Sequence, residues 1–341
     1  MRNPSIEALR FLFMVQICIW HNSSGFGTMQ AGFLGVEFFF ILSGIFLYRT
    51  AVRPGAPGII GYSVGKLSKF YPAYVAVCVL SYIVFAKNGI VAFAHAPAET
   101  SLKFIGQLLL IQGTGVGFPG VNNALWFFSV LVWGGALVYS LVRYYPALSI
   151  RVLFPTLCLL FFAYIFNHGE GPGFERWTSG GFPPVSIDRG VAEIAYGVLV
   201  GYLIFNYGTQ LKSRRRLLDA AALLSVVLYI PIIFAAPAAQ PYVLILFPVI
   251  LASAMTEGSL IQRCLGSRFW LPLGRLSFDM YLIHLIVIHL VSKGGGYVGL
   301  SQTWLNIAYL ILLVPGAWLF RLAVDFACSR LRIAAGSQHR A

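Results

Sequence analysis

The sequence predicts an all-α, polytopic membrane protein whose chain crosses the bilayer about ten times. Hydrophobic residues make up 58% of the 341 residues and charged residues only 10%, whereas soluble domains carry roughly 25% charged residues. The mean hydropathy is +0.79, and apolar runs near the length of a bilayer span recur along the chain. A surface this poor in charge cannot be solvated by water, which excludes a soluble globular domain.

Ten apolar runs are the candidate transmembrane helices. They cover residues 6–21, 33–50, 70–86, 123–142, 152–167, 188–206, 216–235, 240–255, 272–292 and 303–326. Residues 101–113 are apolar but too short to span comfortably, which favours an interfacial or re-entrant segment. We expect residues 1–330 to form one membrane domain and residues 331–341 to form a cytoplasmic tail.

The distribution of lysine and arginine predicts that both termini are cytoplasmic. The segments placed inside by this topology hold Arg2; Arg49, Arg53, Lys66 and Lys69; Arg143 and Arg151; Lys212, Arg214, Arg215 and Arg216; Arg263 and Arg268; and Arg330, Arg332 and Arg340. The segments placed outside hold only Lys87, Lys103, Arg176, Arg189 and Lys293. The asymmetry persists at every pair of loops, as the positive-inside rule expects.

The sequence also argues against a nucleic-acid partner and against a bound metal. The net charge of +13 lies in short clusters between apolar runs, without a basic arm or tail, so we expect no nucleic-acid partner. The five cysteines are odd in number and show no CxxC or other metal-binding spacing. This argues against a disulfide framework and against a zinc site, and we expect no bound metal.

The first span carries Arg10 and His21 on one face. Eleven residues separate them, which corresponds to about 16.5 Å along a helix and to nearly the same side of it. Ionisable groups inside spans are costly and need an explanation. One explanation is an arginine that extends to the headgroups and a histidine at the opposite interface. The other is a functional pair.

The second span brings a carboxylate and a small-residue pair to the same region. Glu37 begins this span and is expected to approach His21 across a short connection, where it would orient the imidazole and raise its basicity. The alternative is an interfacial carboxylate without a role. Ser43 and Gly44 follow in the same helix, and on the plainer interpretation they form a helix-packing contact.

Five short sequence elements occur one after another along the chain. They are Arg10 to His21, Gly35-Val36-Glu37-Phe38-Phe39-Phe40-Ile41-Leu42-Ser43-Gly44, Lys66-Leu67-Ser68-Lys69-Phe70-Tyr71-Pro72, Trp126-Phe127, and Leu273-Gly274-Arg275-Leu276-Ser277-Phe278-Asp279-Met280-Tyr281-Leu282-Ile283-His284. Together they resemble the acyltransferase-3 family of membrane-bound acyltransferases. The resemblance extends over essentially the whole chain.

The resemblance implies transfer of an acyl group, usually acetyl, from cytoplasmic acyl-CoA to a hydroxyl of an extracytoplasmic glycan or lipid-linked saccharide. It implies a catalytic role for His21, with Glu37 beside it, and a site in the bacterial cytoplasmic membrane. No permanently bound cofactor is implied. We expect no extracellular hydrolase-like domain of the kind that some relatives append, and the sequence predicts no oligomeric state.

The same resemblance assigns the donor site to Arg10, Lys66, Lys69 and Tyr71. The family more often has two arginines where this chain has Lys66 and Lys69, and more often aspartate where it has Glu37. Arginine grips phosphates through two donors, whereas lysine supplies a point charge. We therefore expect the two lysines to attract the phosphates of the acyl donor, as arginines would, but to bind them more weakly.

Four further residues are candidates for substrate binding. They are Ser43, Trp126, Tyr281 and His284. His284 follows Tyr281 by one helical turn, so the two share a face, and a histidine hydrogen-bonded to a neighbouring helix is an equal alternative. Two other functions compete with acyl transfer. One is a transporter or flippase of a glycan-export pathway, and the other is a structural subunit of a glycan-export complex.

Overall fold

The computed structural model describes residues 2–22, 29–85, 97–114, 120–168, 185–234 and 237–338, and these residues contain helices, turns and loops but no strand. We number the α-helices of six residues or more. They are α1 Pro4–His21, α2 Gly35–Ala51, α3 Ile59–Phe85, α4 Pro97–Leu108, α5 Trp126–Tyr144, α6 Phe154–His168, α7 Val185–Asn206, α8 Gly208–Ser213, α9 Arg215–Phe234, α10 Val243–Met255, α11 Leu260–Leu265, α12 Trp270–Tyr297 and α13 Gln302–Gln338.

The all-α membrane fold is confirmed, and each predicted span overlaps one helix. Within the described residues, seven helical segments are long and apolar enough to cross a membrane. They are Gly32–Ala51, Ile59–Phe85, Asn123–Tyr144, Pro146–Ala163, Arg215–Phe234, Trp270–Tyr297 and Gln302–Arg330. The helices α1, α7 and α10 overlap the other three predicted spans. A total of ten spans and the cytoplasmic location of both termini remain predictions.

Two helices extend well beyond the apolar runs that predicted them. Helix α3 begins at Ile59 rather than near residue 70, because its first turns mix apolar residues with Gly, Ser and two lysines, and the lysines interrupt the apolar run. Helix α13 continues to Gln338, so the predicted tail 331–341 is mostly a continuation of this helix. Hydropathy marks the part of a helix inside the hydrocarbon and not the end of the helix.

The predicted interfacial segment 101–113 overlaps the amphipathic helix α4, which begins earlier, at Pro97, and ends against α3. The Tyr71 hydroxyl donates to the Leu108 carbonyl at 3.0 Å, and the Tyr74 hydroxyl donates to the Gln107 carbonyl at 2.6 Å. Both carbonyls belong to the last turn of α4, where helical donors run out, and the Gln107 carbonyl also accepts from the Leu110 N–H at 3.0 Å. The two tyrosines therefore cap α4 and attach it to α3.

Helix α1 begins with a capped first turn that fixes its polar residues. The Asn3 side chain accepts from the backbone N–H groups of Ser5 and Ile6, which satisfies two of the unpaired donors of the helix start. The same side chain donates to the Ala254 carbonyl at 3.1 Å. This second bond attaches the start of α1 to the end of α10 and positions Glu7 and Arg10 on the following turns.

Helices α2 and α7 make the most extensive helix pair of the described structure. A Cβ atom added to Gly44 would collide with the backbone at Ile194 and Gly197, and one added to Gly197 would collide with the backbone at Ile41. Small residues of this kind let two helix backbones approach closely inside a membrane. The packing role of Gly44, which the sequence left as one of two interpretations, is therefore the observed one.

Candidate active site

A cavity of about 690 Å³ opens among the ends of three helices, and we call it the basic cavity. Its charged lining comes from the start of α1, the end of α2 and the start of α3. The basic side chains that line it are Arg2, Arg10, Arg49, Lys66 and Lys69. The remainder of the lining is mainly aromatic and aliphatic, so the basic cavity combines a cationic mouth with an apolar interior.

The two lysines predicted for the donor site occupy different environments in the basic cavity. Lys66 is partly buried, and its Nζ atom donates to the Leu131 carbonyl at 3.3 Å and lies 3.4 Å from the Tyr62 hydroxyl. Lys69 lies one helical turn later and is exposed. Lys66 is thus held in place by protein contacts, whereas Lys69 presents an exposed charge to the mouth.

Arg10 is oriented by Glu7, an acidic neighbour outside the residues predicted for the site. Its Nη1 atom lies 3.1 Å from Glu7 Oε2, and the Glu7 side chain is only 7% exposed. Gly274 of α12 leaves the space that Glu7 fills, because a Cβ atom at that position would overlap the Glu7 side chain. The Leu273-Gly274 part of the C-terminal element therefore makes room for the carboxylate that holds Arg10.

A second cavity, of about 420 Å³, lies at the other end of α1, and we call it the histidine cavity. His21 lines it beside the indole rings of Trp20 and Trp126. Three side-chain amides share the wall, and they belong to Gln112, Asn122 and Asn123. The polar groups that line this cavity are neutral and both donate and accept hydrogen bonds, whereas those of the basic cavity are mostly charged.

His21 and His284 are neighbours in this region. Their ring centroids are 4.8 Å apart, with the ring planes inclined at 46°. His284 is fully buried, its Nδ1 atom lies 2.6 Å from the Tyr281 carbonyl oxygen, and its Nε2 atom has no hydrogen-bond partner in the described structure. A carbonyl oxygen only accepts, so Nδ1 carries the proton and Nε2 carries the lone pair.

Two residues belong to both cavities. Val36 of α2 and Tyr281 of α12 line the basic cavity on one side and the histidine cavity on the other. The Tyr281 hydroxyl donates to the Ala124 carbonyl at 2.6 Å, which fixes the ring in this position. The two cavities therefore meet at Val36 and Tyr281, and along α1 the lining changes from the basic cavity to the histidine cavity between Met14 and Ile17.

The other residues predicted for the site do not all line the same cavity. Trp126 and Tyr281 line the histidine cavity. Ser43 lines the basic cavity instead, and its hydroxyl donates to the Phe39 carbonyl at 2.7 Å. Tyr71 is outside the lining of both cavities, since its hydroxyl caps α4.

Glu37 is placed differently from the expectation that put it beside His21. Its Oε1 atom accepts from Arg189 Nη2, and all three side chains of the cluster formed by Glu37, Arg189 and Glu193 are nearly or fully buried. Arg189 Nε lies 3.4 Å from Glu193 Oε1. A buried carboxylate needs a nearby cation, and α7 supplies one. The signal was present in the sequence, because Arg189 and Glu193 are four residues apart inside a predicted span.

Comparison with known proteins places this arrangement in a family. The acyltransferase-3 family, described as an acyltransferase domain, matches residues 3–322. The chain is similar to the acyltransferase MdmB of Streptomyces mycarofaciens, with 24% identity over 97% of this chain and 92% of that protein. It is also similar to BcsY of Komagataeibacter xylinus, named as a membrane-bound transacylase, with 23% identity over 83% of this chain and 72% of that protein.

No solved structure matches the chain significantly. The family match covers the elements in α1, α2, α3, α5 and α12 from which the resemblance was inferred. The two relatives match the chain over most of its length and are named for acyl transfer. The chain belongs to the acyltransferase-3 family of membrane-bound acyltransferases.

Proposed function

We propose that the protein transfers an acyl group, acetyl in the simplest case, from cytoplasmic acyl-CoA to a hydroxyl of an extracytoplasmic glycan or lipid-linked saccharide. The observation that carries this proposal is the pair of cavities with opposite chemistry that meet at Val36 and Tyr281. One is cationic and the other holds a histidine among neutral amides. A donor and an acceptor that approach from opposite ends of α1 would meet between them.

The basic cavity suits the nucleotide end of acyl-CoA. Its phosphates cannot enter hydrocarbon without a large desolvation cost, and Arg10, Lys66 and Lys69 line a cavity that opens at one end of the helix bundle. Ammonium and guanidinium groups form charge-assisted hydrogen bonds with phosphate oxygens. The positive-inside distribution of charge would place this end in the cytoplasm.

The distance between the two ends of the site matches an extended donor arm. Arg10 and His21 are separated by about 16.5 Å along α1, and the pantetheine arm of CoA is roughly comparable in length. The apolar part of the basic cavity, which includes Phe39 and Phe127, would surround this arm. The thioester would then lie near Val36 and Tyr281 while the phosphates stay at the basic mouth.

In the proposed reaction, His21 acts as the general base and then returns the proton to the leaving group. His21 takes the proton of the acceptor hydroxyl as its oxygen attacks the thioester carbonyl. The carbon–sulfur bond breaks, the new ester forms, and the departing CoA thiolate receives the proton from His21. No covalent enzyme intermediate and no metal ion are needed in this sequence of steps.

The lining of the histidine cavity suits a hydroxyl-bearing acceptor. Gln112 donates through Nε2 to Tyr74 and Leu125, whereas its buried Oε1 atom has no partner in the described structure. An unpartnered carbonyl oxygen is a natural acceptor for a sugar hydroxyl. Together with the neighbouring asparagines and indole rings, it supports a saccharide rather than an apolar molecule as the acceptor.

The test is acyl transfer by the purified protein in nanodiscs. Radiolabelled acetyl-CoA is supplied with a panel of glycan and lipid-linked saccharide acceptors, and labelled ester is measured for wild type and His21→Ala. General acid–base catalysis contributes about 10²–10⁴-fold, so we expect a loss of this size. His289→Ala is the matched control, because His289 packs on Phe85 and lies outside the lining of both cavities.

Two outcomes would overturn the proposal. Transfer that survives His21→Ala at the wild-type rate would remove His21 from the chemistry. Wild-type protein that moves a lipid-linked saccharide across the bilayer without acylating any acceptor would support the transporter interpretation.

A further inference from the structure

We propose that His284 is the positioning residue of His21. In this proposal the Nε2 lone pair of His284 accepts a hydrogen bond from one ring N–H of His21. The other His21 nitrogen then presents its lone pair to the acceptor hydroxyl. The inference deepens the proposed function and rests on the role of His21 as general base.

The tautomer of His284 is set by its own helix. Its Nδ1 atom is 2.6 Å from the Tyr281 carbonyl, one turn earlier in α12, and this short contact requires Nδ1 to donate. Nε2 therefore has a lone pair, and the side chain is 0% exposed. A buried ring nitrogen of this kind is normally satisfied by a hydrogen-bond donor, and the His21 ring lies beside it.

Two donors of the cavity wall, on Tyr281 and Gln112, are already committed to other partners. The Tyr281 hydroxyl donates to the Ala124 carbonyl, and Gln112 Nε2 donates to Tyr74 and Leu125. The His21 ring lies with its centroid 4.8 Å from that of His284. At this separation a small side-chain rotation brings one nitrogen of each ring within hydrogen-bond distance.

The His21–His284 pair takes the place of the histidine–carboxylate pair, His21 and Glu37, that the sequence suggested. Glu37 is engaged by Arg189 and is committed to the interior of the α2–α7 interface. His284 does for His21 what a carboxylate does in other sites, since it fixes the tautomer and stabilises the imidazolium that forms. It stays neutral throughout, because the proton that His21 receives passes to the CoA thiolate.

Two substitutions separate this role from acceptor binding and from simple structural support. His284→Gln places a carbonyl oxygen near the position of Nε2 and keeps a hydrogen-bond acceptor for His21. His284→Asn is shorter, so it retains a donor for the Tyr281 carbonyl but loses the acceptor toward His21. Acyl transfer is measured for both with the donor and the acceptor varied in turn.

We expect a difference in kcat and not in KM. For His284→Asn we expect kcat to fall by about 10²-fold, the lower range for loss of acid–base catalysis, with KM for donor and acceptor unchanged. His284→Gln should recover much of this loss. A raised KM for the acceptor with kcat unchanged in both variants would make His284 a substrate contact and overturn the inference, as would equal kcat losses in the two variants.

A second measurement does not depend on activity. Solid-state NMR of wild-type protein with ¹⁵N-labelled histidine, in lipid bilayers, tests for a through-bond N–H···N coupling between the two rings, with His284→Asn as the control. We expect the coupling in wild type, and its absence would overturn the inference. A coupling in a protein that acylates no acceptor would instead reject the proposed function and leave the histidine pair standing.

Discussion

The Arg189 guanidinium of α7 donates to the Glu37 carboxylate of α2, across a sequence separation of 152 residues and inside the helix bundle. Glu193 completes the cluster from the next turn of α7. The acid of the second-span element thus joins the two helices that also meet at Gly44 and Gly197. Because Val36 precedes Glu37 directly, this ion pair also fixes the residue at which the two cavities meet.

Removal of Arg189 is expected to destabilise the protein strongly. Arg189→Met leaves the Glu37 and Glu193 carboxylates buried without their shared cation, and breaking a buried pair in this way costs about 3–5 kcal/mol. We expect a clear fall in the midpoint of thermal unfolding, measured by fluorescence-detected size exclusion in detergent.

Lys212→Met is the control for that experiment. Lys212 pairs with Glu257, and the two side chains are 59% and 80% exposed. Exposed pairs contribute little to stability, so the control should unfold at the wild-type temperature. If Arg189→Met were as stable as the control, the buried cluster of Glu37, Arg189 and Glu193 would not be what holds α2 and α7 together.

The basic cavity predicts a binding defect when both of its lysines are removed. Lys66→Ala combined with Lys69→Ala removes two donors to the phosphates of acyl-CoA, while the reacting atoms stay near His21. Each lost hydrogen bond to a charged group is worth about 1.5–3 kcal/mol, so KM for acyl-CoA should rise at least about tenfold. The value of kcat should stay unchanged, because the lost binding is shared by ground and transition states.

Steady-state kinetics at two salt concentrations check this prediction. The wild-type KM should rise with ionic strength more than that of the double variant, because salt screens the charges that the variant lacks. Lys212→Ala is the control, since Lys212 is a basic residue on the same predicted side but outside the basic cavity. A loss confined to kcat would contradict the assignment of the lysines to donor binding.

Tyr71 is expected to support structure and not donor binding, in contrast to the expectation from its sequence element. Tyr71→Phe removes the hydroxyl that caps the Leu108 carbonyl. The loss of one such bond costs about 1 kcal/mol, so thermal stability should fall slightly while KM for acyl-CoA stays at the wild-type value. A raised KM, with the unfolding midpoint unchanged, would return Tyr71 to the donor site.

The fold was largely predictable because its main signal is local. A run of apolar residues marks a helix in hydrocarbon wherever the rest of the chain lies, and each predicted span overlaps a helix of the structure. The early start of α3 at Ile59 was not predictable in this way. Lys66 and Lys69, which line the basic cavity, interrupt the apolar run, and a charged residue can end such a run without ending the helix.

The site was predictable in part, for the same reason. The pattern within α1 predicted that Arg10 and His21 share a face, and the structure puts them in the basic and histidine cavities respectively. Contacts between distant helices were not predictable. The proximity of His284 to His21 and the pairing of Glu37 with Arg189 depend on how helices far apart in sequence pack together, which no local pattern encodes.

In the proposed mechanism, donor and acceptor reach His21 from opposite sides of the membrane. Proteoliposomes in which the protein has a single orientation, with a saccharide acceptor sealed inside, test it directly when labelled acetyl-CoA is added outside. We predict labelled ester in the lumen when the basic cavity faces outward, and none for His21→Ala. Equal labelling when donor and acceptor are confined to the same side would contradict the account.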